Sequence, residues 1–292
     1  MNRILVILNP AANSTRAKAL KKKVESLSKR AVVRLTSSPG DAEAFARDAV
    51  SENFETVVAA GGDGTVNEVV NGIARSHCHL GILPVGTMNV FAAELGLPMN
   101  NLAAAWNVIE TGHVRMIDLA KVTARENEHY FVQLSGAGLD AEVVRSTTTD
   151  TKNMLGPMSY LITLAQVAAK KAPRILVETK DRQREGSFVL VGNGRYYGGP
   201  FVVFKDAKLD DGMLDVLIFQ NQSHWDLVRY FQAIAFGTHL ELKDVEYFQA
   251  RSVKISCEDE VPFEVDGEVC GTLPIRIGFS RHKLRVLVPP PV

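Results

Sequence analysis

Residues 55–72 read ETVVAAGGDGTVNEVVNG, and the segment changes character at its middle. The β-branched, apolar run TVVAA (56–60) reads as a strand, and TVNEVVNGIA (65–74) has helical spacing. Between them stand Gly61, Gly62, Asp63 and Gly64. A loop that only turns the chain does not need three glycines in four positions. Glycine can take positive φ and carries no Cβ, so backbone N–H groups can line a concavity open to phosphate oxygens. A helix opening near Thr65 would add its positive end. A carboxylate at Asp63 would repel phosphate unless a divalent cation stood between them. The competing reading is a glycine-rich turn in which Asp63 caps the helix. There is no GxxxxGK[ST], so this is not the ordinary P-loop.

Outward from this segment, strands and helices alternate. RILVIL (3–8), AVVRL (31–35) and LGILP (80–84) read as strands, and residues 15–30 and 40–50 as helices. That alternation predicts a parallel sheet with helices on both faces, and ligands beyond the carboxyl ends of its strands. Asn9-Pro10, Thr36-Ser37, Gly61–Thr65 and Gly86–Asn89 all fall at such ends. After about residue 120 the texture becomes short strands with turn signals between them, the pattern of an antiparallel sandwich or barrel. Helical stretches at 153–170 and 223–236 interrupt it. The predicted division is an α/β domain over 1–121 and a β-rich domain over 122–280, with 281–292 a candidate return to the first.

The remaining signals narrow the function. Lys+Arg and Asp+Glu both total 33, so no global field recruits nucleic acid, although a local basic patch could meet an anionic membrane. The longest apolar-rich run, 155–169, is too short to span a bilayer, which predicts a soluble, cytoplasmic protein touching a membrane from the side. Cys78, Cys257 and Cys270 are expected to be buried free thiols, and the seven histidines show no zinc spacing. Trp106 and Trp225 fall in helical stretches and are expected to pack inside. SGAGLDA (135–141) contains GxGxxA, but in the β-rich half a tight turn or the start of a helix is the better reading than a dinucleotide site. By pattern alone FEVDGE (263–268) is a hairpin with an Asp-Gly turn, and LDDG (209–212) a turn between strands.

Taken together, ILNPAAN (7–13), GGDGT (61–65), LPVGTMNVFAAELGLP (83–98), IDLA (117–120), GNGRYYGGPF (192–201), AKLDDGMLDV (207–216) and FEVDGE resemble the diacylglycerol kinase catalytic family, which groups soluble bacterial lipid kinases with sphingosine and ceramide kinases. The resemblance covers essentially the whole chain. It implies an NAD-kinase-like parallel α/β domain followed by a β-sandwich, with the active site in the interdomain cleft. It implies transfer of the γ-phosphoryl group of ATP, with Mg²⁺, to the hydroxyl of diacylglycerol or a related lipid at a membrane surface, with no nucleic-acid partner; a homodimer is a further candidate assembly. Carried over residue by residue, nucleotide contacts fall on Asn9, Thr36, Gly61, Gly62, Asp63, Gly64, Thr65, Val66, Asn67, Gly86, Thr87 and Asn89. Asp63 would hold the nucleotide's Mg²⁺, with Asp118 a lesser member of that network. The proton acceptor would be Glu268, supported by Asp266. A structural Mg²⁺ would rest on Asp211 and the carbonyls of Lys208 and Met213. The stripe Met154, Leu155, Met158, Leu161, Leu164 and Val167 is either core or a wall for an acyl chain.

Two departures stand out. The loop after Asn9-Pro10 lacks the family's frequent glycine and lysine, leaving Arg16 and Lys18 as the nearest cations, and Val90 stands where an aspartate often follows GTxN. GGDGT is shared with NAD kinases, so an enzyme phosphorylating a ribose hydroxyl is the nearest alternative. A catalytically weak nucleotide or lipid sensor is another, motivated by the two departures.

Overall fold

The computed structural model describes residues 3–10, 14–27, 31–86, 88–139, 141–142, 172–199 and 201–290, with only the backbone over 14–20. The helix and apolar stripe expected at 153–170 lie outside them, as do Arg16 and Lys18 as side chains. The chain divides into two compact units, Met1–Leu119 with Ser280–Val292, and Ala120–Phe279.

The first unit runs β1 (Ile4–Leu8), α1 (Ser14–Leu27), β2 (Ala31–Leu35), α2 (Asp41–Ser51), β3 (Thr56–Gly61), α3 (Asp63–Ile73), β4 (His79–Pro84), α4 (Val90–Glu94), α5 (Leu102–Thr111) and β5 (His113–Ile117). The second holds β6 (Ala120–Ala124), β7 (Asn127–Phe131), β8 (Leu134–Ala137), β9 (Ile175–Glu178), β10 (Gln183–Gly186), β11 (Phe188–Gly192), β12 (Tyr196–Tyr197), β13 (Phe201–Val202), β14 (Leu214–Phe219), α6 (His224–Phe236), β15 (Val245–Ala250), β16 (Val253–Ser256), β17 (Pro262–Val265), β18 (Glu268–Thr272) and β19 (Ile275–Phe279). The chain then returns to the first unit as β20 (Leu284–Val288).

In the first unit the strand order is β2-β1-β3-β4-β20-β5. The first five run parallel; β5, which the sequence reading did not identify, pairs antiparallel with β20. Every residue of β1 and β3 is buried, the mark of strands covered on both faces. Val6, Leu8, Val58 and Ala60 pack with Trp106 and Ile109 of α5 and Val24 of α1. Strand alternation sends Leu5, Ile7, Val57 and Ala59 to the other face, where α2 and α3 lie. Those two helices approach closely because Gly72 has no side chain; a Cβ there would stand 2.5 Å from that of Ala46.

The second unit is an antiparallel sandwich of sheets β10-β9-β16-β19-β6-β7 and β15-β14-β11-β8-β17-β18. Val122, Phe131, Val191, Val216, Phe263 and Ile277 are among the residues that fill the space between them. The outer face of the second sheet is covered by α6, through Leu227 and Tyr230. Tyr230 leans on the stacked rings of Phe188 and Phe219, whose centroids are 4.2 Å apart. The helix opens on a capping box between Ser223 and Asp226 and closes on Gly237 at φ 68°. GxGxxA starts at the end of β8, inside this antiparallel sheet, and Leu139, Ala141 and Glu142 after that strand are helical. Cys78 is buried as expected, but Cys257 and Cys270 are only partly so.

Asp244 accepts hydrogen bonds from Arg229, from the Tyr230 hydroxyl at 2.6 Å and from Asn221 at 2.8 Å, pinning α6 to the turn before β15. The Arg229 bonds, with those from Tyr230 and Asn221, hold its carboxyl well below the usual range. A depressed carboxylate contributes stability above its ordinary value of 3.8 and loses that contribution as the pH falls through its folded value. Urea unfolding from about pH 6 to about pH 3 is expected to show declining stability, with a shallower decline in Asp244→Asn. Equal slopes in the two proteins would remove this group from the acid limb.

Candidate active site

The carboxyl ends of the parallel strands share one edge because the register aligns Leu8 with Leu35 and Ala60, and Gly61 with Pro84. The backbone N–H of Asn9 donates to Ala60, and that of Thr36 to Leu8. Asn9, Thr36, Gly61 and the Gly86 loop therefore meet at that edge. Asn9 Nδ2 donates to Thr65 Oγ1 at 3.1 Å, tying the end of β1 to the first turn of α3.

Helix α3 begins at Asp63, two residues earlier than the sequence predicts, so Gly64 and Thr65 belong to its first turn. The loop glycines do not use positive φ: Gly62 sits at φ −97°, and neither Gly61 nor Gly64 is among the positive-φ residues. Lack of a Cβ is what matters. At Gly61 it would meet Thr65 Oγ1 at 2.3 Å. At Gly86 it would meet Gly62 Cα at 2.3 Å and Gly62 N at 2.6 Å, so the two loops touch backbone to backbone. Val85 and Gly86 both donate their N–H groups to Gly61 O.

No side chain caps α3, because its N-cap is Gly62. Asp63 does not cap its own helix; its Oδ1 accepts from the Phe91 N–H at 3.2 Å, at the start of α4. Glu68, one turn on, accepts from the Ala42 N–H of α2 at 2.9 Å. Helix α3 thus caps two neighbours while its own N-terminal N–H groups face the strand edge, an arrangement suited to anionic oxygens. Thr65, Val66 and Asn67 are buried in the same turn. Asn89 holds a left-handed conformation, φ 53°, and donates from Nδ2 to Gly86 O at 2.8 Å. Thr87 lies outside the described residues. Asp118 is buried and ion-paired to Lys283 at 3.0 Å.

In the second unit Asp266 (φ 46°) and Gly267 (φ 88°) form the two-residue loop between β17 and β18, as the Asp-Gly pattern predicts. The Asp266 carboxylate accepts from the N–H groups of Val132, Gln133 and Leu134, each at 3.0 Å. This residue therefore fastens the hairpin to the loop before β8. Glu264, fully buried on β17, accepts from the Gly267 N–H at 2.6 Å. Asn193 and Gly194 both donate their N–H groups to Gln133 O, and Asn193 Nδ2 donates to Val132 O. Glu268, the first residue of β18, is exposed. The frame under the Asp-Gly turn was missed from sequence because its partners lie more than a hundred residues away.

At LDDG the Asp211 Oδ1 accepts from the Met213 N–H at 2.9 Å, and Gly212 takes φ 70°. Fully buried Asp215 follows on β14; desolvation pushes its carboxyl up, against hydrogen bonds from Tyr247 and Gln249. Among the described residues no three His, Cys, Asp or Glu side chains gather as a metal-holding group. Asp63, with one oxygen bonded only to a backbone N–H, and the single carboxylate of Asp211 remain chemically suited to a hard cation that takes its other ligands from carbonyls, water and phosphate.

Two family matches account for most of the chain: the diacylglycerol kinase catalytic domain over residues 3–122, and the YegS C-terminal NAD kinase β-sandwich-like domain over 134–288. A diacylglycerol kinase of Staphylococcus saprophyticus is 33% identical over 259 residues, 87% of this chain and 83% of that protein. One from Bacillus subtilis is 32% identical over 260 residues, 87% of this chain and 84% of that protein. The crystal structure of a diacylglycerol kinase from Bacillus anthracis superposes with a TM-score of 0.78 at 27% identity, covering 99% of this chain and 97% of that one.

The close approach of the two loops gives an asymmetric expectation. Gly86→Ala forces backbone apart and should cost about 1–3 kcal/mol in urea unfolding. At Gly62 a Cβ meets its nearest atom at an ordinary 3.6 Å, so Gly62→Ala should fold nearly as well as the parent. Equal stability of the two variants would show that the contact does not constrain the loops.

Proposed function

The chain belongs to the diacylglycerol kinase family and is an ATP-dependent lipid kinase, and from that premise we propose that its acceptor is the free hydroxyl of diacylglycerol or a closely related lipid. The observation that carries the donor side is the uncapped N-terminus of α3, held open by the Gly62–Gly86 contact. The acceptor class is supported by the relatives, diacylglycerol kinases that the match covers over 83–84% of their length.

Phosphoryl transfer through a loose transition state asks a protein for positioning and charge neutralisation. The triphosphate of ATP lies at the strand edge, where the amides of Gly61, Gly62 and Gly64 and the first turn through Thr65, Val66 and Asn67 hold its oxygens. Asn9, Thr36, Gly86, Thr87 and Asn89 complete that contact set. Asp63 is the ligand for Mg²⁺, which when bound offsets the charge on the phosphates. Asp118 has a lesser part, since Lys283 already pairs with it. Glu268 accepts the proton of the lipid hydroxyl as its oxygen bonds to the γ-phosphorus, the bond to the β–γ bridging oxygen breaks and ADP leaves. Asp266, its oxygens engaged by three amides, positions the turn that carries Glu268. Asp211, with the carbonyls of Lys208 and Met213, is the second Mg²⁺ position, of structural kind. Among the described residues no helix is long and apolar enough to cross a membrane. The enzyme works from the cytoplasm on a lipid in the membrane surface, feeding phospholipid synthesis.

Labelled ATP offered with diacylglycerol, a sphingoid base and NAD, with products identified by mass, tests the acceptor. Phosphorylated diacylglycerol is expected, and phosphorylated NAD alone would overturn the reading. Asp63→Asn keeps an acceptor for the Phe91 N–H, so it should fold normally yet lose about 10²–10³-fold in kcat. Glu268→Gln should lose about 10²–10⁴-fold. Unchanged turnover in the first variant would remove the metal role, and in the second the base.

A further inference from the structure

Trp225 was expected to pack inside, yet it is 83% exposed, and Phe236 at the far end of the same helix is 82% exposed. Val228 and Phe231 lie exposed between them on α6. Strand β13 runs beside α6 and carries exposed Phe201. Among the described residues, every Phe or Trp that is exposed belongs to this one helix and its neighbouring strand. Scattered apolar residues on a surface need no explanation, but aromatics gathered on one element do.

The charge pattern is equally one-sided. Asp226 and Arg229 are the only two full charges on α6. They are ion-paired at 2.9 Å, and Arg229 is also bound to Asp244. Both charges of the helix are therefore engaged in ion pairs, Arg229 keeping 41% of its side chain exposed beside the aromatic face. At its end Lys205 Nζ donates to the Gly237 carbonyl, setting one cation beside Phe236. Aromatic side chains over a face whose charges are paired, with a cation at its rim, suit the boundary between lipid headgroups and acyl chains. A second copy of the chain suits it less. A helix of 13 residues is about 20 Å long, and its outer face would bury on the order of 300–400 Å² per protomer, against the roughly 800 Å² of a stable interface.

We propose that the outer face of α6, with Phe201, is the surface that seats this enzyme on a phospholipid bilayer. The inference rests on the lipid-kinase reading, since an acceptor dissolved in a bilayer requires such a face, but it is measurable without turnover. Because the charges of the helix are paired and its exposed aromatics are many, binding is carried by insertion of aromatic rings rather than by attraction to anionic headgroups.

The two tryptophans make the test specific, since Trp106 is buried at 3% exposure and Trp225 is not. With phosphatidylcholine vesicles the emission should shift to the blue, and brominated acyl chains should quench it. Added phosphatidylglycerol or salt should change vesicle binding little. Trp225→Ser and Phe236→Ser should each weaken co-sedimentation with vesicles about tenfold. Both should leave phosphorylation of a short-chain, water-soluble diacylglycerol unchanged while slowing that of the vesicle-embedded lipid. Wild-type emission untouched by vesicles, or variants that bind as tightly as the parent, would overturn the proposal. So would a dimer in sedimentation equilibrium that Trp225→Ser dissociates, because a second copy would then cover the face. Failure to phosphorylate either form of lipid would instead count against the lipid-kinase reading, leaving the vesicle measurements to decide the docking face.

Discussion

Backbone touches backbone where β3 and β4 end, and the strand edge of the first unit is arranged around that contact. Gly86 can lie on Gly62 only because it has no Cβ, and Gly61 admits the Thr65 side chain for the same reason. The glycines of GGDG thus take no positive φ, and the closeness rests on the missing Cβ atoms of Gly61 and Gly86. With the loops this near, Asp63 reaches the start of α4, and Asn89 reaches back to Gly86. Each neighbour of α3 receives a cap from it, and the helix itself receives none. A carboxylate that already accepts a backbone N–H is oriented before any ligand arrives, which is the preorganisation that electrostatic catalysis requires.

The second unit solves a parallel problem with a different device. Its Asp-Gly turn is short and both central residues have positive φ, so left alone it would fix little beyond the hairpin. Three amides from residues 132–134 close on Asp266 and make the turn part of the sheet's end, and Asn193 and Gly194 brace the same loop from the other side. Glu268, by contrast, is exposed at the start of an edge strand. Asp266 is held by three amides while Glu268 lies exposed on the strand that follows, a difference that the sequence motif DGE by itself does not disclose.

What could be read in advance follows from locality. The alternation of strand and helix, the Asp-Gly hairpin and the glycine loop are short-range patterns, and the sequence states them directly. Strand β5 was missed because four of its five residues are not buried and its partner lies at the far end of the chain. The bond from the Phe91 N–H to Asp63 was not legible because Phe91 is 28 residues away. Trp225 was misplaced for another reason. Helix α6 is apolar on nearly all sides, with Leu227, Tyr230 and Ala233 buried and Trp225, Val228 and Phe231 outside, so periodicity gave no sign of which face the sheet covers.

The path of the chain carries a consequence for how the protein is made. Residues 120–279 interrupt the first unit, and the exit and return points are joined by the bond from Ser280 N–H to Leu119 O. Strand β20 then enters between β4 and β5, and β5 has no other strand partner among the described residues. The first sheet therefore waits on a strand that leaves the ribosome only after residues 120–279, while the inserted sandwich can mature first. Until that final strand arrives, an unfinished sheet edge is exposed on the nascent polypeptide, a long-range pairing that slows maturation and invites misassociation.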